Sequence, residues 1–540
     1  MKLTASRESL MQSEERVQIG LGSHITSVDV SVIDANSEAL GVSRLQLMEN
    51  AGRSVAEELA KRAERGSRIA VLAGPGGNGG DGLAAARHIA YMGYSVDVVL
   101  LAKPSEIRSP EARAMYEAVE LMDTTMGLRV VRSPCDIDLH GYDAVVDALL
   151  GTGLKGAPRS PYAEAIDAIN SADALKIAVD VPSGLNADTG ETPGPCVKAD
   201  VTVTFHKPKP GLLKRPDLVG ELIVASIGAP PEAEVYVGPG DVLYRVPRRS
   251  WHTHKGQAGR VLVIGGSEDF IGAPIISALA AQRIGVDLVY IAAPSKVITA
   301  ASKHPILIPV ELKDAPRLSP GHVDTILRVA ERVDSIVIGM GLGLNRDTQK
   351  AVKELLARIP KDKPVVLDAD ALKIVSDDRE LIRHNMVLTP HEAEFHKVFG
   401  VKPASIEELP ARIMDAVQQA RLHSNVTIIL KGPIDVITDG ARARLNKTGA
   451  PAMSAGGTGD TLAGITGALL AKGLKPFDAA CVAAYINGAA GALAYKKYGE
   501  SMNAVDLIRH IHVVLNGPAR VAKEALIYRR LPVKRTAMAV

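Results

Sequence analysis

The chain contains few of the residues that mark extracellular, zinc-stabilised or nucleic-acid-binding proteins. Its 540 residues include three cysteines, Cys135, Cys196 and Cys481, whose spacing fits neither a C-x-x-C motif nor a zinc site. We therefore expect reduced thiols without a chemical role, as in cytosolic proteins. Aromatic residues make up 3% of the chain, the formal net charge is +2, and no dense basic tract occurs. A nucleic acid is therefore not an expected partner.

Long apolar runs are also missing. No uninterrupted apolar stretch reaches the roughly 18 residues that cross a membrane, and the charged N-terminus, with Glu8, Glu14 and Glu15, lacks the apolar core of a signal peptide. We expect a cytoplasmic protein with no membrane partner. Residues 1–22 precede the first periodic pattern, and we expect them to form a loose extension.

Glycine is abundant where predicted strands end. The stretch AGGTGDTLAG at 455–464 brings bare backbone amides to the start of an apolar helix, an arrangement that binds phosphate. Asp460 stands at that helix start, and we predict that it is the general base for a hydroxyl aligned for phosphoryl transfer. The alternative is that Asp460 only caps the helix. The β-branched run 426–430 favours catalysis, because it ends in Lys431 and Gly432 and so places a cation at a strand end.

A second glycine-rich loop lies in the first half of the chain. A strand is predicted over 68–73, the loop GPGGNGGDG occupies 74–82, and a helix is predicted over 83–92. This is the order of elements that holds phosphate in dinucleotide-binding folds. Asn78 and Asp81 are unusual in a loop that holds only phosphate, so we expect the loop to bind something more.

Two aspartates lie in apolar strands of the same half. Asp147 is inside one strand, and Asp180 is near the carboxyl end of the next. A buried carboxylate is costly unless it is paired or binds a cation. Together with Asn78 and Ser183, these aspartates favour a cation site, and oxygen ligands without Cys or His indicate an alkali or alkaline-earth ion. Taken singly, each aspartate could equally cap a helix or brace a loop.

The alternation of strands and helices is interrupted once and then restarts. Glycine and proline are dense over 228–240, and roughly 100–200 residues per domain is usual. We therefore predict two α/β domains, 1–235 and 236–540, each with a ligand crevice where its parallel strands end. The apolar helix predicted over 479–494 should be buried, so Asn487 within it needs a hydrogen-bond partner.

Six motifs resemble one known family. Three of them are similar to the NAD(P)H-hydrate epimerase domain: GPGGNGGDG at 74–82, DALLGTGLKG at 147–156 and DVPSGLNADTG at 180–190. Three are similar to ADP-dependent NAD(P)H-hydrate dehydratase: LTPHEAEF at 388–395, KGPIDVI at 431–437 and AGGTGDTLAG at 455–464. Their order resembles that of the bifunctional nicotinamide-nucleotide repair enzymes. The resemblance implies a Rossmann-like first domain and a ribokinase-like second domain.

The resemblance also implies an activity. Reduced nicotinamide cofactors that have taken up water at the C5–C6 double bond are useless to dehydrogenases. The first domain would interconvert the R and S hydrates at C6, and the second would dehydrate the S epimer with ADP as phosphoryl donor. Potassium in the epimerase, Mg²⁺ in the dehydratase and a homo-oligomer are further implications. An alternative stays open, a vitamin-precursor kinase fused to a Rossmann-like domain that only binds.

The matching motifs imply site residues. Asp180 would be the acid or base of the epimerase, Asp460 the base of the dehydratase, and potassium would be held by Asn78, Asp147 and Ser183. The first domain would contact the hydrate through Gly77, Asn78, Gly79, Gly80, Asp81, Gly151, Thr152, Gly153, Leu154, Lys155, Gly156, Ala157, Tyr162 and Asp180. The second would contact it through Gly341, His391, Glu392, Ala393, Glu394, Phe395, His396, Lys397 and Asp460. ADP would be contacted by Lys431, Gly432, Pro433, Ile434, Asp435, Ala450, Pro451, Ala452, Met453, Ser454, Ala455, Gly456, Gly457, Thr458 and Gly459.

Overall fold

The computed structural model describes residues 18–131, 133, 136–313 and 315–524, so Cys135 lies outside the described residues. Cys196 and Cys481 are free and buried, as expected of thiols without a chemical role. The described chain forms two compact units. One unit is Ser23–Ala233, and the other joins residues 18–22 to the chain from Glu234 onward. Elements are numbered in chain order, beginning with β1 (Gln18–Ile19), which belongs to the second unit.

The first unit is built on a seven-stranded sheet. Its strands are β2 (Arg68–Ala73), β3 (Ser95–Leu100), β4 (Met126–Val130), β5 (Ala144–Ala148), β6 (Leu175–Val179), β7 (Val201–Phe205) and β8 (Glu221–Ala225). Its helices are α1 (Ser27–Ala39), α2 (Arg44–Ala60), α3 (Gly77–Tyr91), α4 (Pro110–Glu120), α5 (Tyr162–Ser171), α6 (Pro210–Lys214) and α7 (Pro216–Val219). All seven strands are parallel in the order β4-β3-β2-β5-β6-β7-β8, which is the Rossmann-type arrangement.

The residues of the strands and of the glycine-rich segment explain the structure of this unit. The central strands are runs of Val, Ile, Leu and Ala that are buried on both faces, as parallel strands covered by helices must be. Helix α3 begins at Gly77, six residues before the predicted start. The glycine-rich segment can form a first helical turn because a Cβ on Gly79 would lie only 1.8 Å from the Gly74 carbonyl oxygen, so only glycine allows this close packing.

The second unit is built on a ten-stranded sheet. Besides β1, its strands are β9 (Arg260–Ile264), β10 (Leu288–Pro294), β11 (Leu307–Leu312), β12 (Ser335–Ile338), β13 (Val365–Leu367), β14 (Met386–Leu388), β15 (Thr427–Leu430), β16 (Asp435–Thr438) and β17 (Arg442–Asn446). The order is β1-β17-β16-β15-β14-β13-β12-β9-β10-β11. Only β16 runs antiparallel to its neighbours in this sheet, since it forms hairpins with β15 and β17.

Helices cover both faces of this second sheet. The short helix α8 (Pro231–Val235) lies at the junction of the two units. The others are α9 (Pro239–Arg245), α10 (Gly272–Arg283), α11 (Ser295–Ala301), α12 (Val323–Ala330), α13 (Arg346–Arg358), α14 (Asp370–Val375), α15 (Glu392–Phe399), α16 (Leu409–Leu422), α17 (Thr458–Ala471), α18 (Pro476–Tyr498), α19 (Ala504–Asn516) and α20 (Pro518–Glu524). The prediction of α/β architecture for both halves is confirmed.

The expectation of a loose N-terminal extension is wrong for residues 18–22. Strand β1 pairs in parallel with β17 at the edge of the second sheet. The Leu21 amide donates to the Glu234 carboxylate at 2.9 Å. The fully buried guanidinium of Arg444, on β17, donates to the Glu234 carbonyl at 2.9 Å and pairs with the buried Asp241. The chain segments on both sides of the first unit are therefore anchored in the second unit.

Helix α18 is buried, as predicted. The described segment Pro476–Ser501 is long and apolar enough to cross a membrane, but 83% of its most apolar window is buried inside the protein. Asn487 has the partners that its burial requires. It accepts a hydrogen bond from Thr461 Oγ1 at 2.7 Å and donates one to the Thr458 carbonyl at 3.2 Å. These two bonds tie α18 to the first turn of α17.

Candidate active sites

The first candidate site lies where the strand order of the first sheet reverses. From β2 the chain moves outward to β3 on one side, and from β5 it moves to β6 on the other. The loops after β2 and β5 therefore diverge and leave a crevice, the usual ligand site of such sheets. A cavity of about 630 Å³ opens there, and α1 and α2 supply further walls, including Asp34 and Arg44.

Most of the predicted hydrate-binding residues of the first unit line this cavity. They are Gly77, Asn78, Asp81, Gly151, Thr152, Gly153, Leu154, Lys155, Tyr162 and Asp180. The other four, Gly79, Gly80, Gly156 and Ala157, do not line it. Gly79 and Gly80 are buried in the first turn of α3, where they allow close packing against the β2 loop and against Met48 on α2.

Asp180 follows β6 directly and is held by several polar groups. Its backbone is left-handed, with φ +62°, a strained conformation that occurs mainly at functional sites in residues other than glycine. Oδ1 accepts hydrogen bonds from Thr204 Oγ1 at 3.0 Å, from the Phe205 amide at 3.2 Å and from Lys209 Nζ. Within the described chain, no hydrogen bond reaches Oδ2 of this cavity-lining side chain. Oδ2 is therefore the oxygen that a substrate can reach.

Two further carboxyl groups line the same cavity. Burial raises the pKa of Asp34 to about 6, with Arg44 opposing and Asp180 reinforcing the shift. Burial, together with the charges of Asp180 and Asp34, raises the pKa of Asp81 well above its usual range. Both groups therefore hold a proton at higher pH than an exposed aspartate does. Sequence reasoning missed Asp34 and Lys209, since each lies outside the glycine-rich and strand-end patterns.

Asp147, on β5, is buried and receives hydrogen bonds without a cationic partner among the described residues. Ser183 donates its amide to Oδ2 at 2.8 Å and its hydroxyl to Oδ1 at 2.6 Å, and the Leu149 amide adds a bond of 3.3 Å. Burial raises the pKa of Asp147 to about 6 in spite of these bonds. The carboxylate therefore lies in an environment that an added positive charge would stabilise.

The other two predicted potassium ligands lie close by. Ser183 Oγ accepts a hydrogen bond from the Leu150 amide at 2.9 Å, and the Asn78 side chain lies against Gly151, one residue further along the same loop. Asn78 Nδ2 is buried and has no hydrogen-bond partner within the described chain. One carboxylate with neutral side-chain oxygens beside it is a donor set that suits a hard cation.

The second candidate site lies at the N-terminus of α17. Gly457 precedes the helix with φ +93°, and a Cβ there would lie 2.9 Å from the Cβ of Ala504. The predicted helix start is confirmed, because Thr458 is the first helical residue and Asp460 lies in the first turn. The Asp460 side chain makes no hydrogen bond to the described residues, and the cap position belongs to Gly457. The interpretation of Asp460 as only a cap is therefore disfavoured.

Charged side chains set the electrostatics of this site. Burial raises the pKa of the half-buried Asp460 to about 7, with Asp368 and Glu394 adding to the shift and Lys431 opposing it. Lys431 Nζ lies 3.3 Å from Asp368 Oδ1 and 3.8 Å from Glu394 Oε2. Burial acts against the lysine charge, but these carboxylates outweigh it and raise the pKa of Lys431. The site therefore combines a base suited to neutral pH with a permanent cation.

Asp368 is a residue that sequence reasoning did not select. It directly follows β13, is buried, and accepts a hydrogen bond from Thr389 Oγ1 at 2.7 Å. The next residue, Ala369, has φ +49°, a second strained position at a strand end. Asp368 could have been identified because it follows an apolar strand. Asp370 follows the same strand two residues later, and the sequence pattern does not separate the two aspartates.

The predicted hydrate-binding stretch at 391–397 forms the start of α15. His391 Nδ1 accepts hydrogen bonds from the Ala393 and Glu394 amides at 3.1 and 3.3 Å, so this histidine caps the helix. Glu394 is turned toward Lys431, whereas Phe395 is fully buried in the core and its side chain is not available to a ligand. The exposed members are His391, Glu392, Ala393, His396 and Lys397.

Gly341 lies near a strand end of the same sheet, after β12. Its backbone is left-handed, with φ +68°, and a Cβ there would lie 2.8 Å from the Cβ of Phe270. Phe270 itself is largely exposed.

The predicted ADP-binding residues form two stretches at the same end of the sheet. Asp435 accepts hydrogen bonds from the Gly432 amide at 3.0 Å and from Asn446 Nδ2 at 2.9 Å. Thr458 Oγ1 donates to the Met453 carbonyl at 2.6 Å. The first stretch, which runs from the end of β15 to the first residue of β16, is Lys431, Gly432, Pro433, Ile434 and Asp435, of which Ile434 is buried in the core. The second, which leads into α17, is Ala450, Pro451, Ala452, Met453, Ser454, Ala455, Gly456, Gly457, Thr458 and Gly459.

Comparison with known proteins accounts for both units. A family model described as YjeF-related protein N-terminus matches residues 44–211, and one described as NAD(P)H-hydrate dehydratase matches residues 261–513. A bifunctional NAD(P)H-hydrate repair enzyme of Hyperthermus butylicus is 60% identical over 520 residues, which cover 96% of each chain. Its counterpart in Methanothermobacter thermautotrophicus is 45% identical over 500 residues, covering 91% of this chain and 95% of that protein.

A solved structure is similar to the second half. The ADP/ATP-dependent NAD(P)H-hydrate dehydratase of Bacillus subtilis, co-crystallised with ATP and Mg²⁺, is 28% identical, and the match covers 54% of this chain and 98% of that one with a TM-score of 0.42. The two family models match successive parts of the chain, and the relatives align over nearly its whole length. The chain belongs to the family of bifunctional NAD(P)H-hydrate repair enzymes.

Proposed function

We propose that this protein repairs hydrated NADH and NADPH in two steps. The first unit interconverts the R and S hydrates at C6, and the second dehydrates the S epimer with ADP as phosphoryl donor, which yields AMP and phosphate. The observation that carries the proposal is that Asp460, whose pKa burial raises to about 7, lies within the field of the Lys431 charge at an amide-rich helix start. Such a site can deprotonate a hydroxyl and bind the phosphate that it receives.

The dehydration follows from leaving-group chemistry. Hydroxide leaves carbon poorly, whereas phosphate leaves readily. Asp460 takes the proton of the C6 hydroxyl while the hydroxyl oxygen attacks the β-phosphorus of ADP, and AMP departs. Loss of phosphate from C6 and of a proton from C5 then restores the double bond. Lys431 and the first amides of α17 stabilise the charge on the transferred group, and Asp368 and Glu394 hold Lys431 in place.

The epimerase assignment rests on Asp180 and its surroundings. Asp180 exchanges a proton with the substrate through Oδ2, and the cavity-lining residues of the glycine loops hold the hydrate. Potassium would be held by Asn78, Asp147 and Ser183. The fit is supported by the buried Asp147 carboxylate, which lacks a cationic partner in the described chain, and by the neutral oxygens beside it. When bound, the ion would offset that charge.

Further assignments complete the proposal. Mg²⁺ would accompany ADP, held mainly by its phosphates, because the described residues contain no group of three His, Cys, Asp or Glu side chains suited to a metal. We infer two domains at 1–235 and 236–540, apart from residues 18–22 and 234–235, which pack with the second. We also infer a cytoplasmic homo-oligomer with no nucleic-acid or membrane partner. ADP in preference to ATP is part of the same proposal.

One assay tests the function against its alternative. Purified protein is incubated with mixed hydrate epimers and either ADP or ATP, and the recovery of the reduced-nicotinamide absorbance is followed. We expect recovery of the whole hydrate pool with ADP. A vitamin-precursor kinase fused to a binding domain would instead leave the absorbance unchanged, and that result would refute the proposal.

A further inference from the structure

Lys209 is one of the largest fully buried side chains in the protein. It lies immediately before α6, with an exposed fraction of 0%. Its ammonium donates to three acceptors: Oδ1 of Asp180, Thr204 Oγ1 at 3.0 Å and the Phe205 carbonyl at 3.2 Å. All three protons of the ammonium are therefore used, so the direction of the Nζ group is fixed.

The acceptors of Lys209 form a closed network around one oxygen of Asp180. Thr204 Oγ1 accepts from Lys209 and donates to Asp180 Oδ1, and the Phe205 amide donates to the same Oδ1. Oδ1 thus has three donors, while Oδ2 has none among the described residues. The two carboxylate oxygens of Asp180 therefore lie in different environments. The backbone of Asp180 is also left-handed.

We infer that Lys209 is a positioning residue of the epimerase site, which holds Asp180 by Oδ1 and leaves Oδ2 as the oxygen that exchanges the proton. This inference rests on the proposed epimerase activity. A buried ammonium is costly unless it is paired, so Lys209 and Asp180 depend on each other's charge.

Other charged groups contribute to the same field. The carboxyl groups of Asp34 on α1 and Asp81 on α3 interact with Asp180, and Arg44 on α2 and His206, after β7, interact with Asp34. Removal of Lys209 should leave Asp180 Oδ1 with the hydrogen bonds from Thr204 Oγ1 and the Phe205 amide, so that the carboxylate is held less firmly and kcat falls.

The test compares Lys209→Met with a matched control, Lys214→Met, in the full-length protein. Lys214 is an exposed lysine at the end of α6. Epimer exchange at C6 is measured by NMR at pH 7 in potassium buffer. For Lys209→Met we expect a kcat about 10- to 1000-fold lower, with KM within about threefold. The control should match the wild type.

Several outcomes would overturn the inference. An unchanged kcat in folded Lys209→Met would show that Lys209 only fills the core, and a change confined to KM would make it a binding residue. If Lys209→Met fails to fold, Thr204→Val is measured instead, because it keeps the shape of the side chain but removes the bridging hydroxyl. A smaller loss of kcat with an unchanged KM supports the inference, and an unchanged kcat overturns it. Absence of epimer exchange in the wild type would instead refute the epimerase assignment.

Discussion

The substitution Asp460→Asn should abolish dehydration while the nucleotide still binds. The amide keeps the shape of the side chain at the first turn of α17, so the helix and its phosphate-binding amides should persist. It cannot accept the proton of the C6 hydroxyl. Loss of a positioned acid or base costs about 10²–10⁴ in rate, which corresponds to about 2.7–5.4 kcal/mol of transition-state stabilisation. The assay is recovery of reduced-nicotinamide absorbance from the S hydrate and ADP.

The pH dependence of the wild type follows from the same carboxyl group. Burial, Asp368 and Glu394 raise the pKa of Asp460 to about 7 in spite of Lys431. A general base must be ionised, so kcat should rise with pH through about 7 and then level off. At pH 6 about one tenth of the enzyme would have Asp460 ionised, and kcat should be about tenfold below its plateau.

A matched control separates catalysis from helix electrostatics. Asp347 is an exposed aspartate in the first turn of α13, and Asp347→Asn should leave dehydration unchanged. If Asp460→Asn dehydrates at near the wild-type rate, or if kcat is flat between pH 6 and pH 8, Asp460 is not the base and the proposed chemistry fails.

Three other perturbations have defined outcomes. Asp147→Ala should impair epimerisation and remove its stimulation by potassium over a bulky organic cation, and equal wild-type rates in the two salts would refute the cation site. A fragment of residues 236–540 should still consume the S hydrate with ADP. Its Tm should be lower than that of the second unit in the full chain, because the fragment lacks β1. A folded but inactive fragment would show that the second site needs the first. Arg444→Ala should lower the free energy of unfolding by about 1–3 kcal/mol, since the buried Asp241 carboxylate loses the Arg444 guanidinium, although Arg245 still pairs with it. Arg358→Ala, at an exposed site, should have a much smaller effect, and equal losses of stability in denaturant titrations would contradict this.

Much of the fold was predictable because parallel strands are apolar on both faces. The strand predicted over 68–73 is observed at those residues, and the buried helix predicted over 479–494 lies inside α18. Strands at sheet edges are harder to predict from a local pattern. Both β4 and β11 have exposed positions, and β1 has two residues whose partner is more than 400 residues away in the chain. Their pairing depends on tertiary contacts that no local pattern contains.

The site was predictable where glycine and strand-end aspartate coincide. The first turn of α17 and Asp180 at the end of β6 lie where that pattern placed them. Lys209 and Asp34 were not predictable, since the sequence does not show that a lysine in a proline-rich segment turns inward to a carboxylate. Asp368 was partly predictable by position. The sequence does not show that the side chain beside Lys431 is that of Asp368 and not that of Asp370.

The central claim is that one chain restores an entire pool of mixed hydrates. The direct measurement starts from pure R hydrate with ADP and follows reduced-nicotinamide absorbance and AMP together. The wild type should convert all of the R hydrate with one AMP released for each cofactor recovered, and Asp180→Ala should slow recovery to the rate of spontaneous epimerisation. AMP release without recovery of absorbance, or equal rates for the wild type and Asp180→Ala, would contradict the account.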